Sequence, residues 1–276
     1  MEIEDRTAWP FAGHRTREPS GVPVQTETEE EASPTVDAPL SVVLRRSAVG
    51  AAAVLVLMVA SGLAVGLATS TAIGEADLDV TRWFADHRTT AIDAVATVGS
   101  SLADTFTVLG VLLGAATMLA AAGRSRHAWF LVVAVSTEFA VFLATSTLID
   151  RDRPDVEPLG DVPSTASYPS GHVAVAIVLY GGLCVVASSI SRRSDIGRVG
   201  AGMTVVVASL VGMSRLYEGV HHPIDVLGGG LLGVTALLST TWAFQLTPTV
   251  ATRPPALHPG SDLSCSAGTT APKMER

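Results

Sequence analysis

Long uncharged apolar runs, broken by short polar clusters, dominate the middle of the chain. No Asp, Glu, Lys or Arg occurs from Ser47 to Gly74, from Thr105 to Gly123 or from Val226 to Thr252. Apolar runs of roughly 18 residues or more match the thickness of a bilayer when coiled as helices. The pattern predicts six such helices, at about 47–70, 103–122, 128–149, 172–190, 199–214 and 224–245. The fifth is short, with 16 residues between Arg198 and Arg215. The expected fold class is therefore all-α: a polytopic membrane protein with six transmembrane helices. Between the first two spans, apolar and charged residues alternate at helical spacing. Trp83, Phe84, Ile92 and Val95 are expected on one face of an interfacial helix. No internal repeat is visible.

Composition agrees with a membrane class. Charged residues make up 16% of the 276 positions and mean hydropathy is +0.42, against about 25% charged in a soluble domain. The net charge of −8 is concentrated at the N-terminus, where residues 1–40 carry nine acidic residues and three arginines. That segment, rich in Pro, Thr and Ser, is expected to be a disordered acidic tail without a signal-peptide pattern. Residues 247–276, Pro-rich, are expected to be a second disordered tail, leaving 41–246 as the membrane domain. Cys184 lies in an apolar run and Cys265 in the C-terminal tail, a placement that disfavours a disulfide.

Arginine placement sets an expected orientation. Arg45 and Arg46 precede the first span, and "GRSRHAW" and "SRRSDIGR" follow the second and fourth. Placing all three clusters in the cytoplasm satisfies the positive-inside rule. Both termini are then cytoplasmic, and the connections 74–101, 150–171 and 215–222 face the extracytoplasmic side.

Three polar clusters at the outer ends of the spans carry the candidate chemistry: "DRDRPD" (Asp150–Asp155), "PSGH" (Pro169–His172) and "SRLYEGVHHPID" (Ser214–Asp225). A helix N-terminus offers free N–H groups and a positive dipole end to an anion. At "PSGH", Gly171 permits close backbone approach and Ser170 adds a hydroxyl. Arg153 and Arg215 can fork onto phosphate oxygens. His221 and Asp225 stand four residues apart, one helical turn, with Pro223 near the first helical position. A carboxylate there can hold one imidazole nitrogen and leave the other to attack, while His172 serves as proton donor to a leaving oxygen. These are parts for phosphoryl transfer without a metal. Arginines interleave Asp150, Asp152 and Asp155 and would repel a cation.

Several further positions carry two readings each. Taken alone, His172 reads as a helix cap. His222 packs beside His221 or touches substrate. Glu138, inside the third span, is functional, protonated or paired with another helix. The run Gly228–Gly230 reads as close helix packing. Tyr168 and Tyr217 line the pocket or serve as interfacial aromatics.

In these motifs the sequence resembles the type 2 phosphatidic acid phosphatase (PAP2) superfamily, over roughly residues 100–230. Pro-Ser-Gly-His is intact at 169–172, and Ser-Arg-x5-His-x3-Asp is intact at Ser214, Arg215, His221 and Asp225. Lys-x6-Arg-Pro is partial: Arg153-Pro154 matches, but Ser146 stands at the lysine position. The resemblance implies a helical bundle of the PAP2/haloperoxidase type that hydrolyses a lipid phosphate or diphosphate. Phosphatidic acid, a prenyl diphosphate and phosphatidylglycerol phosphate are the candidate substrates. It implies His221 as the residue forming a phosphohistidine, Asp225 as its orienter and His172 as acid then base. Arg153, Ser170, Gly171 and Arg215 are implied as phosphate ligands, and no metal or other cofactor is implied. Arg151 is a candidate substitute for the missing lysine. The expected partners are a lipid phosphate and the bilayer, with no nucleic acid. Two alternatives stay open: transfer of the phosphoryl group to an alcohol, and a lipid-binding or transport protein whose site has degenerated at Ser146.

Overall fold

The computed structural model describes residues 39–246; the two tails predicted at 1–40 and 247–276 lie almost wholly outside them. Within this range the chain forms eight helices: α1 (Leu40–Ala68), α2 (Ala72–Asp86), α3 (Thr90–Ser101), α4 (Thr105–Ala121), α5 (Ser125–Ile149), α6 (Gly171–Ser191), α7 (Ser194–Tyr217) and α8 (Pro223–Phe244). No strand occurs among the described residues.

Five helices, α1, α5, α6, α7 and α8, are long and apolar enough to cross a membrane. The predicted second span is reached differently. At 17 residues α4 spans only about 26 Å at 1.5 Å per residue, short of a hydrocarbon core of about 30 Å. With α3 it makes one broken span, bent by 43°. The six predicted spans therefore correspond to five continuous helices and this bent pair, and the chain is a multi-pass membrane protein. Its fifth span is longer than predicted, because α7 continues through Arg198 and Arg215 and covers 24 residues.

The region predicted as one interfacial helix is two. The Thr71 and Thr89 hydroxyls accept hydrogen bonds from the Ile73 and Ile92 amides, capping α2 and α3 separately. Trp83, Ile92 and Val95 are exposed. The large residues facing outward from the bundle, such as Val56, Leu67, Phe106 and Leu113, are apolar, as a lipid-facing surface requires.

α6 is central, packed on α5, α7 and α8, with α1 against α5 and α8. Small residues set the spacing. A Cβ at Gly229 would fall 2.3 Å from the Ser170 carbonyl oxygen, and one at Gly228 2.3 Å from the Tyr168 ring. Those two glycines bring α8 against the start of α6, as the packing reading expects; Gly230 faces open space. At the far end the core is apolar: Phe130, Leu131, Ala134, Val178, Leu179 and Phe244 are buried together.

Candidate active site

α5 ends where Asp150 turns the chain at φ 39°, and the segment 150–170 crosses the end of the bundle to the start of α6. α7 ends at Tyr217, and residues 218–222 lead into α8. The two connections are bound to each other. Arg153 donates to the Val220 carbonyl at 2.6 Å and the Thr165 carbonyl at 3.0 Å, and the Ser170 amide donates to the Asp225 carbonyl at 2.9 Å. The three polar clusters thus meet at one end of the bundle.

Asp225 is the hub of one half of the site. It is fully buried on the first turn of α8. One oxygen accepts from the His222 amide at 2.8 Å, the Ser167 hydroxyl at 2.5 Å and His222 Nδ1 at 3.2 Å. The other pairs with Arg151. His221 Nδ1 lies 3.8 Å from the same carboxylate. The helical-turn reading of His221 and Asp225 is corrected here. Pro223 is the first residue of α8 and His222 is its cap, so His221 precedes the helix and approaches Asp225 from outside it. His222 is a ligand of Asp225 through both backbone and ring, which the sequence reading left undecided.

Arg151 does not stand free as a substitute for the missing lysine. It bridges Asp225 and Asp77, the latter at 2.7 Å, and Asp77 in turn accepts from the Ile224 amide at 2.9 Å. Burial works against its charge, but Asp225 and Asp77 outweigh that and hold its pKa above the usual value. Ser146 is also committed: it is buried on α5 and donates to the Leu143 carbonyl at 3.1 Å.

The other cationic residues keep free donors. Arg215 donates through one Nη to Glu218 at 2.7 Å and to Ser100 at 2.8 Å, while its Nε has no partner. Arg153 Nε and Ser170 Oγ are likewise buried without partners. Burial lowers the Arg153 pKa, and the Arg215 charge lowers it further, so two guanidinium groups repel one another across a short space. Glu218 is also pushed up, by burial, against the pull of Arg215. Such an arrangement favours an anion between the arginines.

His172, on the first turn of α6, has its Nε2 3.3 Å from Asp104 Oδ1. It lies close enough to Arg215 and His221 for their charges to act on it. His221 is 3% exposed, and burial lowers its pKa, with Asp225 opposing and the two arginines assisting. The imidazole is thereby kept neutral, the form that carries a lone pair. Gly171 opens α6 with the Phe142 ring against it: a Cβ there would sit 3.0 Å from the ring.

Long-range partners are what the sequence reading missed: Asp77, Ser100, Asp104, Ser167 and Glu218. Asp104 had a local signal, as the polar residue directly before an uncharged run, the usual place for a helix cap. Tyr168 and Tyr217 do not line the site. Tyr168 is buried with its hydroxyl 2.9 Å from Ser61 of α1, and Tyr217 bonds to Asp93 at 2.6 Å and to Thr89. Among the described residues, no group of His, Cys, Asp and Glu is arranged to hold a metal ion.

Residues 126–248 match the model of the PAP2 superfamily. Phosphatidylglycerophosphatase B of Bacillus subtilis (strain 168) is 40% identical over 90 residues, 31% of this chain and 42% of that protein. Decaprenylphosphoryl-5-phosphoribose phosphatase of Mycobacterium tuberculosis (strain CDC 1551 / Oshkosh) is 30% identical over 117 residues, 41% of this chain and 59% of that protein. The chain spans about half the length of these curated relatives. The crystal structure of a transmembrane PAP2 type phosphatidylglycerolphosphate phosphatase from Bacillus subtilis aligns with a TM-score of 0.60 at 25% identity, covering 68% of this chain and 94% of that one.

Proposed function

On the premise that residues 126–248 form a PAP2 superfamily domain, we propose that this chain is a membrane phosphatase that hydrolyses a lipid phosphate or diphosphate. One observation carries the reading. Among the described residues, seven buried side-chain polar atoms lack a partner, and four of them belong to Arg153, Ser170, Arg215 and His221. Buried donors are normally satisfied. Three unpaired donors beside a buried neutral imidazole suit a phosphoryl group supplied from outside.

In the reaction, Arg153, Arg215, the Ser170 hydroxyl and the N-terminus of α6 at Gly171 hold the phosphoryl oxygens. The His221 nitrogen remote from Asp225 attacks phosphorus. An N–P bond forms as the P–O bond to the lipid breaks, and His172 gives its proton to the departing oxygen. Neutral His172 then takes a proton from water, whose oxygen attacks phosphorus as the N–P bond to His221 breaks, releasing inorganic phosphate and the free imidazole. Asp225 steadies the charge that develops on His221. These steps use no metal.

The phosphatase names of the relatives support hydrolysis, and the apolar spans bring the substrate through the bilayer. The arginine bias of the loops favours cytoplasmic termini and an extracytoplasmic site. The degenerate-site alternative draws on Ser146, since the phosphate is left with two guanidinium groups and no lysine. Transfer to an alcohol shares the first step, and the products separate it from hydrolysis.

The test is purified protein assayed on phosphatidic acid, phosphatidylglycerol phosphate and a prenyl diphosphate, with and without chelator. Phosphate release that survives chelator and disappears in His221→Ala is the expected result. Absence of release on every lipid phosphate overturns the reading and leaves the binding alternative. Phosphorylated alcohol in place of free phosphate identifies a transferase.

A further inference from the structure

Below His172 the site continues into the membrane layer. A cavity of about 410 Å³ lies between α4, α5 and α6, with Gly171 and His172 at its outer end. Its walls are mostly apolar, including Val108, Leu112, Phe139, Phe142 and Val175. One acidic side chain, Glu138 of α5, faces into it. Glu138 is 2% exposed, and among the described residues no hydrogen bond or ion pair reaches its carboxyl group. The pairing with another helix that the sequence allows does not occur among the described residues.

The depth of Glu138 follows from the helices. α5 runs toward the site and α6 away from it. The Phe142 ring lies against Gly171, and Glu138 is one turn earlier on α5. It is therefore about one helical pitch, ~5.4 Å, below the start of α6, level with Val175. A charged carboxylate without a counter-ion is strongly disfavoured in such surroundings. The neutral acid is the favoured form, and it carries a donor as well as acceptors.

A purely hydrocarbon chain filling this cavity would leave the carboxyl O–H unsatisfied. A glycerolipid would not. In a diacylglycerol phosphate the glycerol carbons separate the leaving oxygen from the first ester carbonyls by a span comparable to one helical pitch. With the leaving oxygen at His172, those carbonyls reach the depth of Glu138. We propose that Glu138 is a specificity residue that donates a hydrogen bond to an ester carbonyl of the substrate, so that the site prefers diacylglycerol phosphates to lipids whose chains lack an acceptor. This rests on the lipid phosphatase reading above.

The experiment compares diacyl phosphatidic acid with its dialkyl ether analogue, which keeps the phosphate and chains but has no carbonyl. Two readouts are taken: kcat/KM for phosphate release, and affinity of the His221→Ala protein for each lipid in detergent. The ester-to-ether ratio is expected to be roughly 5- to 30-fold, the range of one hydrogen bond. It should fall toward one in Glu138→Leu and be largely kept in Glu138→Gln, which retains an N–H donor. A ratio is insensitive to the fraction of protein that folds. Equal binding of ester and ether lipids by the Glu138-containing protein overturns the inference, as does a ratio unchanged by Glu138→Leu. Absence of hydrolysis of any lipid would instead overturn the phosphatase reading, and the binding ratio would still decide the role of Glu138.

Discussion

The two histidines of the site are held in opposite ways. His221 is buried beside a saturated carboxylate, with its Nδ1 3.8 Å from it. Asp225 beside it is engaged by Arg151, Ser167 and His222, and Arg151 is pinned from behind by Asp77. Among the described residues His172 has one polar partner, Asp104, whose side chain is 54% exposed, and it borders an apolar cavity. Rigid support suits a group that must meet phosphorus along one line. Looser support suits a group that must follow a leaving oxygen carried on a lipid. The comparison teaches that the missing motif lysine does not leave the Asp225 side short of charge, because Arg151 supplies a cation to the carboxylate rather than to the phosphate.

The largest effect should come from the proposed nucleophile. His221→Ala is expected to lower kcat by roughly 10⁴-fold or more, measured as phosphate release, with little change in thermal stability. Next comes the ion-pair bridge. Arg151→Met leaves two buried carboxylates without their shared cation, and breaking such a pair costs about 3–5 kcal/mol. Scanning calorimetry or a thermal-shift assay in detergent should show a clear fall in Tm. If Arg151→Met instead raised KM for phosphate with Tm intact, Arg151 would belong to the phosphate clamp and the contrast would fail. On the looser side, Asp104→Asn should cost about tenfold or less in kcat and leave Tm within about 1 °C, because an exposed pair contributes little to stability.

The smallest effect is a displacement in pH. In the proposed mechanism neutral His221 is the reactive form, and protonation removes the lone pair. Burial lowers its pKa from 6.5, so protonation requires more acid than for a free imidazole. The acid limb of kcat/KM is therefore expected below pH 6.5, and Asp225→Asn should move it lower still by removing the charge that favours the protonated ring. An acid limb above 6.5 in the parent protein would show that His221 is not held neutral by burial.

Much of this architecture was legible in the chain because membrane helices announce themselves through long charge-free runs. α1, α5, α6 and α8 lie close to where those runs place them. The bend between α3 and α4 was hidden, since a broken span keeps its apolar composition and only its local geometry changes. At the site, the clustering of Arg153, Ser170, Arg215, His221 and Asp225 follows from motifs at the ends of neighbouring spans. Asp77 and Asp104 were invisible in those roles. Each meets its partner across more than sixty residues of sequence, and no local pattern encodes such a contact. Four-residue spacing misled at His221, because Pro223 starts α8 two residues after it.

The most direct test of the central claim is to map the covalent intermediate. Protein mixed with a lipid phosphate substrate is quenched in alkali, which preserves phosphohistidine, and its peptides are analysed by mass spectrometry. The account predicts a phosphate adduct on His221. An adduct on His222 or His172, or continued turnover by His221→Ala, would contradict it.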